Sequence, residues 1–256
     1  MWDWETYSKV KIVKSDPYQP VTKVPDGISF PTWLTLGANQ GATSYFGILE
    51  CAQLKGSDNV VISAAAGATG SLAGQIAKLK GCHVVGFCGT DDKCRLLKSL
   101  GFDGAINYRT CGDLSTALRK QCPNGVDVYF DNVGGRFLEA VLNNINQNGR
   151  VAVCGQLGSY NSKVPVPGPS NISALIFTQA RIQGFNVLGY SHRWKQYLND
   201  ITPWILSNKL QAPKPTIIEG IENSPEALTR LFNGKKTGKM LVHVADPDPT
   251  LSKSKL

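Results

Sequence analysis

The chain has 256 residues, enough for one large domain and part of a second. No apolar run reaches the roughly 18 residues of a membrane span. The formal charge of +8 suits a multiply anionic ligand. The lysines are spread along the chain and no nucleic-acid recognition motif is present, so no nucleic acid is expected as partner.

Residues 1–31 hold four prolines and one alternating stretch, 6–13, that reads as a strand. So short a piece cannot bury a core of its own. It reads as the tail of a domain whose front is missing. Residues 32–54, rich in Ala, Leu and aromatics, read as one helix. A repeating order then begins, with strands expected at 59–63, 83–87, 105–108, 126–130 and 150–154. Helices are expected between them at 68–80, 91–100, 114–121 and 137–145. A proline-rich loop (164–170) leads to a further helix, a strand at 181–187 and a helix at 193–207. The chain closes with a helix at 225–233 and a strand at 239–244.

Alternating strands and helices with short links predict an α/β fold: a Rossmann doubly wound parallel sheet with helices on both faces. Ligands then bind at the C-terminal edge of the strands. The dinucleotide-binding domain is expected over 32–215. Residues 216–245 would form a C-terminal helix and strand, and 246–256 an exposed tail.

Residues 64–70, AAAGATG, join the first strand to the first helix of the alternation. Glycines there let the backbone approach a pyrophosphate, and the free N–H groups at the helix start face its charge. The usual fingerprint is GxGxxG; here it is AxxGxxG, with Gly67, Ala68, Thr69 and Gly70 as the expected contacts. The end of the second strand chooses the cofactor. An NAD enzyme carries an acid about 20 residues beyond the turn, to hold the ribose 2′-OH. Gly89 and Thr90 stand there instead, and Lys93 follows, a cation suited to the 2′-phosphate of NADP(H). Asp91 is the alternative, as a ligand for the ribose of NAD.

Seven cysteines are scattered without CxxC spacing, and the three histidines are dispersed, so no zinc framework is read. The thiols are expected to be reduced and structural, with Cys154 the candidate for a reactive one.

Five stretches together resemble a known family: 60–70 (VVISAAAGATG), 81–86 (GCHVVG), 107–108 (NY), 126–135 (VDVYFDNVGG) and 149–155 (GRVAVCG). They are similar to the zinc-independent medium-chain dehydrogenase/reductases, in the branch of the prostaglandin and plant alkenal reductases. The resemblance spans about residues 2–244, and FDNVGG is its most specific part. It implies that residues 1–31 are the remnant of an N-terminal, β-rich (GroES-like) substrate domain, to which residues 216–245 return. By the same resemblance, Lys93 and Tyr108 flank the 2′-phosphate and adenosine ribose, and Asn132 lies near the nicotinamide. Residues from Cys154 and Gly155 to Tyr160 line the nicotinamide pocket, and Phe185, Asn186 and Val187 close it. Lys236 stands where the family has a cofactor-binding asparagine, and Phe177 where some relatives have a tyrosine near the substrate.

The implied reaction is NADPH-dependent reduction of the carbon–carbon double bond of an α,β-unsaturated ketone, with an enone or oxo-eicosanoid as substrate. Tyr160 is the candidate donor to the oxygen on which charge develops. Two alternatives stand: a cofactor-binding isoform without catalysis, and an NADPH quinone reductase. The strand at 181–187 reads as a sheet edge that pairs with its copy in a homodimer. Ser254, Lys255 and Leu256 read as a peroxisomal address for an import receptor, with the cytoplasm as alternative.

Overall fold

The computed structural model describes residues 24–232 and 238–246. The strand expected at 6–13, Lys236 and the tail carrying Ser254, Lys255 and Leu256 lie outside the described residues.

Six strands form one parallel sheet in the order β3-β2-β1-β4-β5-β6. They are β1 Asn59–Ile62, β2 His83–Cys88, β3 Gly104–Asn107, β4 Val126–Asp131, β5 Ile145–Val153 and β6 Arg181–Gly184. The order reverses between β1 and β4, which opens the crevice of the Rossmann arrangement at their C-terminal ends. The central strands β1, β2 and β4 are short apolar runs buried on both faces, and alternate side chains serve two layers. Val60, Ile62, Val84, Val128, Phe130 and Ala152 face one core. Val61, Val85, Phe87, Tyr129 and Val151 face the other.

The first core is covered by α1 Phe30–Leu36, α2 Asn39–Phe46, α3 Ala68–Leu79, α4 Asp91–Ser99 and α8 Trp194–Leu206. The second is covered by α5 Leu114–Gln121, α6 Arg136–Leu142 and the short α7 Ala174–Thr178. Local signals set the helix ends. Thr90 and Asp113 cap α4 and α5 by accepting from the backbone N–H of Lys93 and Thr116. Gly81 and Gly101, with φ of 86° and 89°, follow the ends of α3 and α4 in the left-handed conformation that lets a helix stop and turn.

Four expectations change. Residues 32–54 are not one helix: α1 stops at Leu36, α2 begins at Asn39, and a π-turn, Gly47–Cys51, follows. The break has a tertiary cause. The fully buried Tyr197 of α8 donates its hydroxyl to Leu36 O at 2.6 Å and takes the carbonyl at the end of α1. The fifth strand begins earlier than expected, at Ile145, with a register shift against β4 that lets residues 146–149 bulge outward. The strand at 181–187 ends at Gly184, because Asn186 Oδ1 accepts from Leu188 N and starts a 3₁₀ turn. Last, β7 Thr216–Glu219 was not foreseen. It pairs in parallel with β8 Met240–His243, and α9 Ser224–Phe232 lies between them in the chain. As expected from its place in the chain, β6 is an edge of the main sheet.

Candidate functional site

A cleft of about 1110 Å³ opens over the C-terminal ends of β1, β2 and β4. Its floor is the turn between β1 and α3. Ala64 takes a φ of 47°, and Ala65 N donates to Phe87 O, so the turn is folded tightly against β2. A Cβ on Gly70 would lie 2.7 Å from Ala64 O and 2.9 Å from Ala65 Cα. Only glycine leaves the turn this compact. No side chain caps α3, whereas α1, α4 and α5 have side-chain caps from Ser29, Thr90 and Asp113. Its first N–H groups therefore face the cleft with the positive end of the helix dipole behind them. Ser44 of α2 donates to Thr69 O at 2.8 Å and fixes the turn from below.

The tip of the cleft lies beyond β2 and β3, where Gly89, Thr90, Lys93, Tyr108 and Arg109 meet. Burial, with the charge of Arg109, pulls the Lys93 ammonium below its usual value. Two cations are thus held close at one end. Asp91 is occupied elsewhere: its Oδ1 accepts from Asn107 Nδ2 at 2.7 Å. Asp92 pairs with Arg95. Among the described residues, the walls carry Lys93, Arg109 and Lys239 and no carboxylate. Tyr108 packs edge-on against Phe137, and the Arg136 guanidinium lies 5.6 Å and 5.4 Å from the two ring centroids.

The opposite end is built on the FDNVGG segment. Asp131, buried at the end of β4, accepts at one oxygen from Ser63 Oγ, Tyr129 OH, Val133 N and Gly134 N, all within 3.1 Å. Burial, then the Asp131 charge, pushes the Tyr129 phenol well above its usual value, so it stays a donor. Asn132 donates Nδ2 to Ser63 O at 2.7 Å and its backbone N to Ser63 Oγ at 2.9 Å. The loop after β5 is then pinned to this segment: Cys154 N and Gly155 N donate to Asp131 O, Leu157 N to Asn132 O and Gly158 N to Val133 O. Tyr160, 59% exposed, stands on that loop at the cleft wall.

The third wall comes from the C-terminal unit. Gly238 forms a parallel bridge with Gly67 and donates to Ala66 O. Ile221, Leu228, Met240 and Val242 supply an apolar face. On α2, Gln40 lines the cleft with a buried Oε1 that has no partner. A compact turn before an uncapped helix, a cationic tip, an apolar wall and an orphan acceptor together fit a phosphorylated dinucleotide.

The model of the family described as zinc-binding dehydrogenase matches residues 68–202, more than half of the chain. The chain belongs to the medium-chain dehydrogenase/reductase family. Its relatives place it in the prostaglandin reductase branch. Prostaglandin reductase 1 of Sus scrofa is 43% identical over 217 residues, covering 84% of this chain and 66% of that protein. The NADP(+)-dependent 2-alkenal reductase of Nicotiana tabacum is 40% identical over 247 residues, covering 96% and 70%. The crystal structure of CurA from Vibrio vulnificus in complex with NADPH superposes with a TM-score of 0.80 at 37% identity, covering 88% of this chain and 68% of that one. The chain spans 62% to 70% of the length of the curated relatives it matches.

Within this dehydrogenase/reductase fold, the residues expected to form the site fall into two groups. Gly67, Ala68, Thr69, Gly70, Lys93, Tyr108, Asn132 and Tyr160 line one cleft. Cys154, Gly155, Phe185, Asn186 and Val187 do not. Burial first, then Asp131, raises the Cys154 thiol to about 12, the direction expected of a structural thiol. Phe185 turns inward onto Phe130, 6.1 Å between centroids, and Asn186 is spent as the cap of the 3₁₀ turn. Sequence reasoning passed over Arg109, Asp131, Gln40 and the wall from 221–228 and 238–244. Arg109 follows Tyr108 directly and could have been found from that neighbour; Gln40 carries no local signal. Among the described residues, no group of three or more His, Cys, Asp or Glu side chains is placed to hold a metal.

Proposed function

We propose that this chain binds NADP(H) and reduces the carbon–carbon double bond of α,β-unsaturated ketones, including 15-oxo-prostaglandin-like substrates. The observation that carries the reading is the tip of the cleft, with Lys93 and Arg109 beside Tyr108 and no carboxylate among its described residues. Support comes also from the relatives named prostaglandin reductase and NADP(+)-dependent alkenal reductase, and from the neighbour solved with NADPH.

When bound, the cofactor supplies a hydride to the β-carbon of the enone. The chain's own residues do the rest. The turn from Gly67 to Gly70 holds the pyrophosphate by backbone N–H groups. Lys93 and Arg109 neutralise the 2′-phosphate by charge-assisted hydrogen bonds. Asn132, fixed by Ser63, orients the end of the cleft where the substrate enters. Tyr160 donates to the oxygen on which negative charge develops.

The test follows NADPH absorbance with a 15-oxo-prostaglandin and with a simple enone. Oxidation of NADPH with either, and Tyr160→Phe lowering kcat about tenfold, is the expected outcome. Binding of NADPH without oxidation favours the reading of a cofactor-binding chain without catalysis. Turnover with a quinone alone favours a quinone reductase. As partners, we propose a second copy of this chain along the edge strand β6, tested by sedimentation. We also propose import into peroxisomes through Ser254, Lys255 and Leu256, tested by the location of a reporter ending in that tripeptide; a cytoplasmic reporter sinks it.

A further inference from the structure

Cys88 is the last residue of β2, and Cys94 lies in the first turn of α4. Six positions separate them, outside any CxxC spacing, yet the fold brings their Sγ atoms to 3.1 Å. A disulfide requires about 2.05 Å, so closure needs a movement of roughly one ångström. Cys88 is buried and lines the tip of the cleft, while Cys94 is half-buried at its back. The turn that joins them is the one that holds the cationic tip. Thr90 caps α4 by accepting from Lys93 N, and the Cys88 thiol donates to Thr90 O at 3.7 Å.

Geometry sets this pair apart, sulfur against sulfur. Burial raises the Cys88 thiol, as it raises Cys82, Cys122 and Cys154, and the contact with Cys94 adds to the rise. We propose that Cys88 and Cys94 form an oxidisable dithiol, a covalent modification site whose disulfide weakens the binding of NADPH at the adjoining 2′-phosphate tip. The consequence for NADPH rests on the NADP(H) reading above; formation of the disulfide does not.

The oxidant is a hydroperoxide. Cys94, the more exposed sulfur, attacks the distal peroxide oxygen as a thiolate. The O–O bond breaks, leaving Cys94 as a sulfenic acid and, with hydrogen peroxide, releasing hydroxide that takes up the thiol proton as water. Cys88 sulfur then attacks Cys94 sulfur. The S–S bond forms, the S–O bond breaks, and the departing hydroxide leaves as water with the Cys88 proton. Two thiols lose two electrons, and one peroxide becomes two waters. The new bond draws the first turn of α4 against the end of β2 and removes the S–H that Thr90 O accepts. Lys93 moves with that turn.

The experiment treats the full chain with hydrogen peroxide, removes the excess and digests with trypsin under non-reducing conditions. Trypsin cuts between Lys93 and Cys94, so the disulfide appears as the peptide 81–93 joined to 94–95, with Cys88 located by fragmentation. The expected result is this joined pair, reversed by dithiothreitol. A rise of about tenfold in the Kd for NADPH accompanies it, the weight of one charge-assisted phosphate contact, with the Kd for NADH unchanged. Cys94→Ser keeps its NADPH affinity after peroxide; Cys111→Ser, a control at another half-buried thiol, responds like the parent. Absence of the joined pair in protein whose circular dichroism is native overturns the proposal, as does a joined pair with unaltered NADPH affinity. Equal loss of affinity in Cys94→Ser overturns it too. If the reduced protein itself does not prefer NADPH, the cofactor reading has failed instead.

Discussion

Gly70 shows how one residue fixes chemistry. Its missing Cβ lets Ala64 O approach to within van der Waals limits, and the turn closes beneath the cleft. Gly70→Ala must displace backbone on both sides, so the N–H groups at the start of α3 move away from the phosphate position. We expect at least about a hundredfold loss of NADPH affinity by fluorescence titration, equivalent to about 2.7 kcal/mol. Lys93 and Arg109 act on a different part of the ligand. Removing either should weaken NADPH about tenfold while leaving NADH within a factor of about two; a matching loss for both nucleotides would place these cations away from the 2′-phosphate. The glycine and the lysine could be read from the sequence, because a turn between strand and helix and a cation after the second strand are local features. Asp91 could not be dismissed from the sequence. Its engagement by Asn107 depends on β3 lying beside β2.

At the scale of elements, the end of β4 and the C-terminal pair β7–β8 support the cleft from two sides. Asp131 gathers four donors, and its removal strands Ser63, Tyr129 and two backbone N–H groups in a buried place. Asp131→Ala should lower stability by about 3 kcal/mol or more in denaturant titration. On the other flank of the fold, a Cβ on Gly41 would lie 1.7 Å from Leu36 O and 2.2 Å from Tyr197 OH. Gly41→Ala should therefore cost about 2 kcal/mol, although alanine is the better helix former. The β7–β8 pair carries a titrating contact. His243 Nδ1 lies 2.6 Å from Glu219 Oε2, and this hydrogen bond, followed by the Glu219 charge, raises the imidazole above its usual 6.5. A raised folded value means that the contact stabilises below pH 6.5 and is lost as pH rises through the folded pKa. NMR titration should give a midpoint above 6.5 with amide protection in β8 falling across it, and Glu219→Gln should reduce both effects, leaving the smaller contribution of Asp246, whose Oδ1 lies 3.3 Å from His243 Nε2.

For the whole molecule, the cleft is assembled from parts far apart in the chain: the turn at 64–70, the tip at 88–93 and 108–109, the FDNVGG segment and the C-terminal residues 221–228 and 238–244. A ligand that bridges them holds the native state alone. NADPH at one hundred times its Kd should then stabilise folding by about 2.7 kcal/mol, visible as a rise in Tm. Lys93→Ala should lose most of that rise at the same nucleotide concentration. The C-terminal unit belongs to this closure, because Gly238 bonds to the phosphate turn itself.

What the sequence determined by itself was periodic or local. Short β-branched runs alternating with amphipathic helices gave the parallel sheet. AxxGxxG between a strand and a helix marked the phosphate turn, and FDNVGG marked the family. These features survive in one dimension because each element's burial pattern and each turn's backbone demand are written in adjacent residues. The tertiary structure decided the rest. Tyr197 reaches Leu36 O across 161 positions and breaks an otherwise continuous helix. Asn107 engages Asp91 and leaves Lys93 and Arg109 as the charged side chains at the tip. The register of β2 against α4 sets two cysteines sulfur to sulfur. Contacts between elements depend on how layers stack, and hydrophobic spacing along the chain does not encode which buried polar atom will meet which.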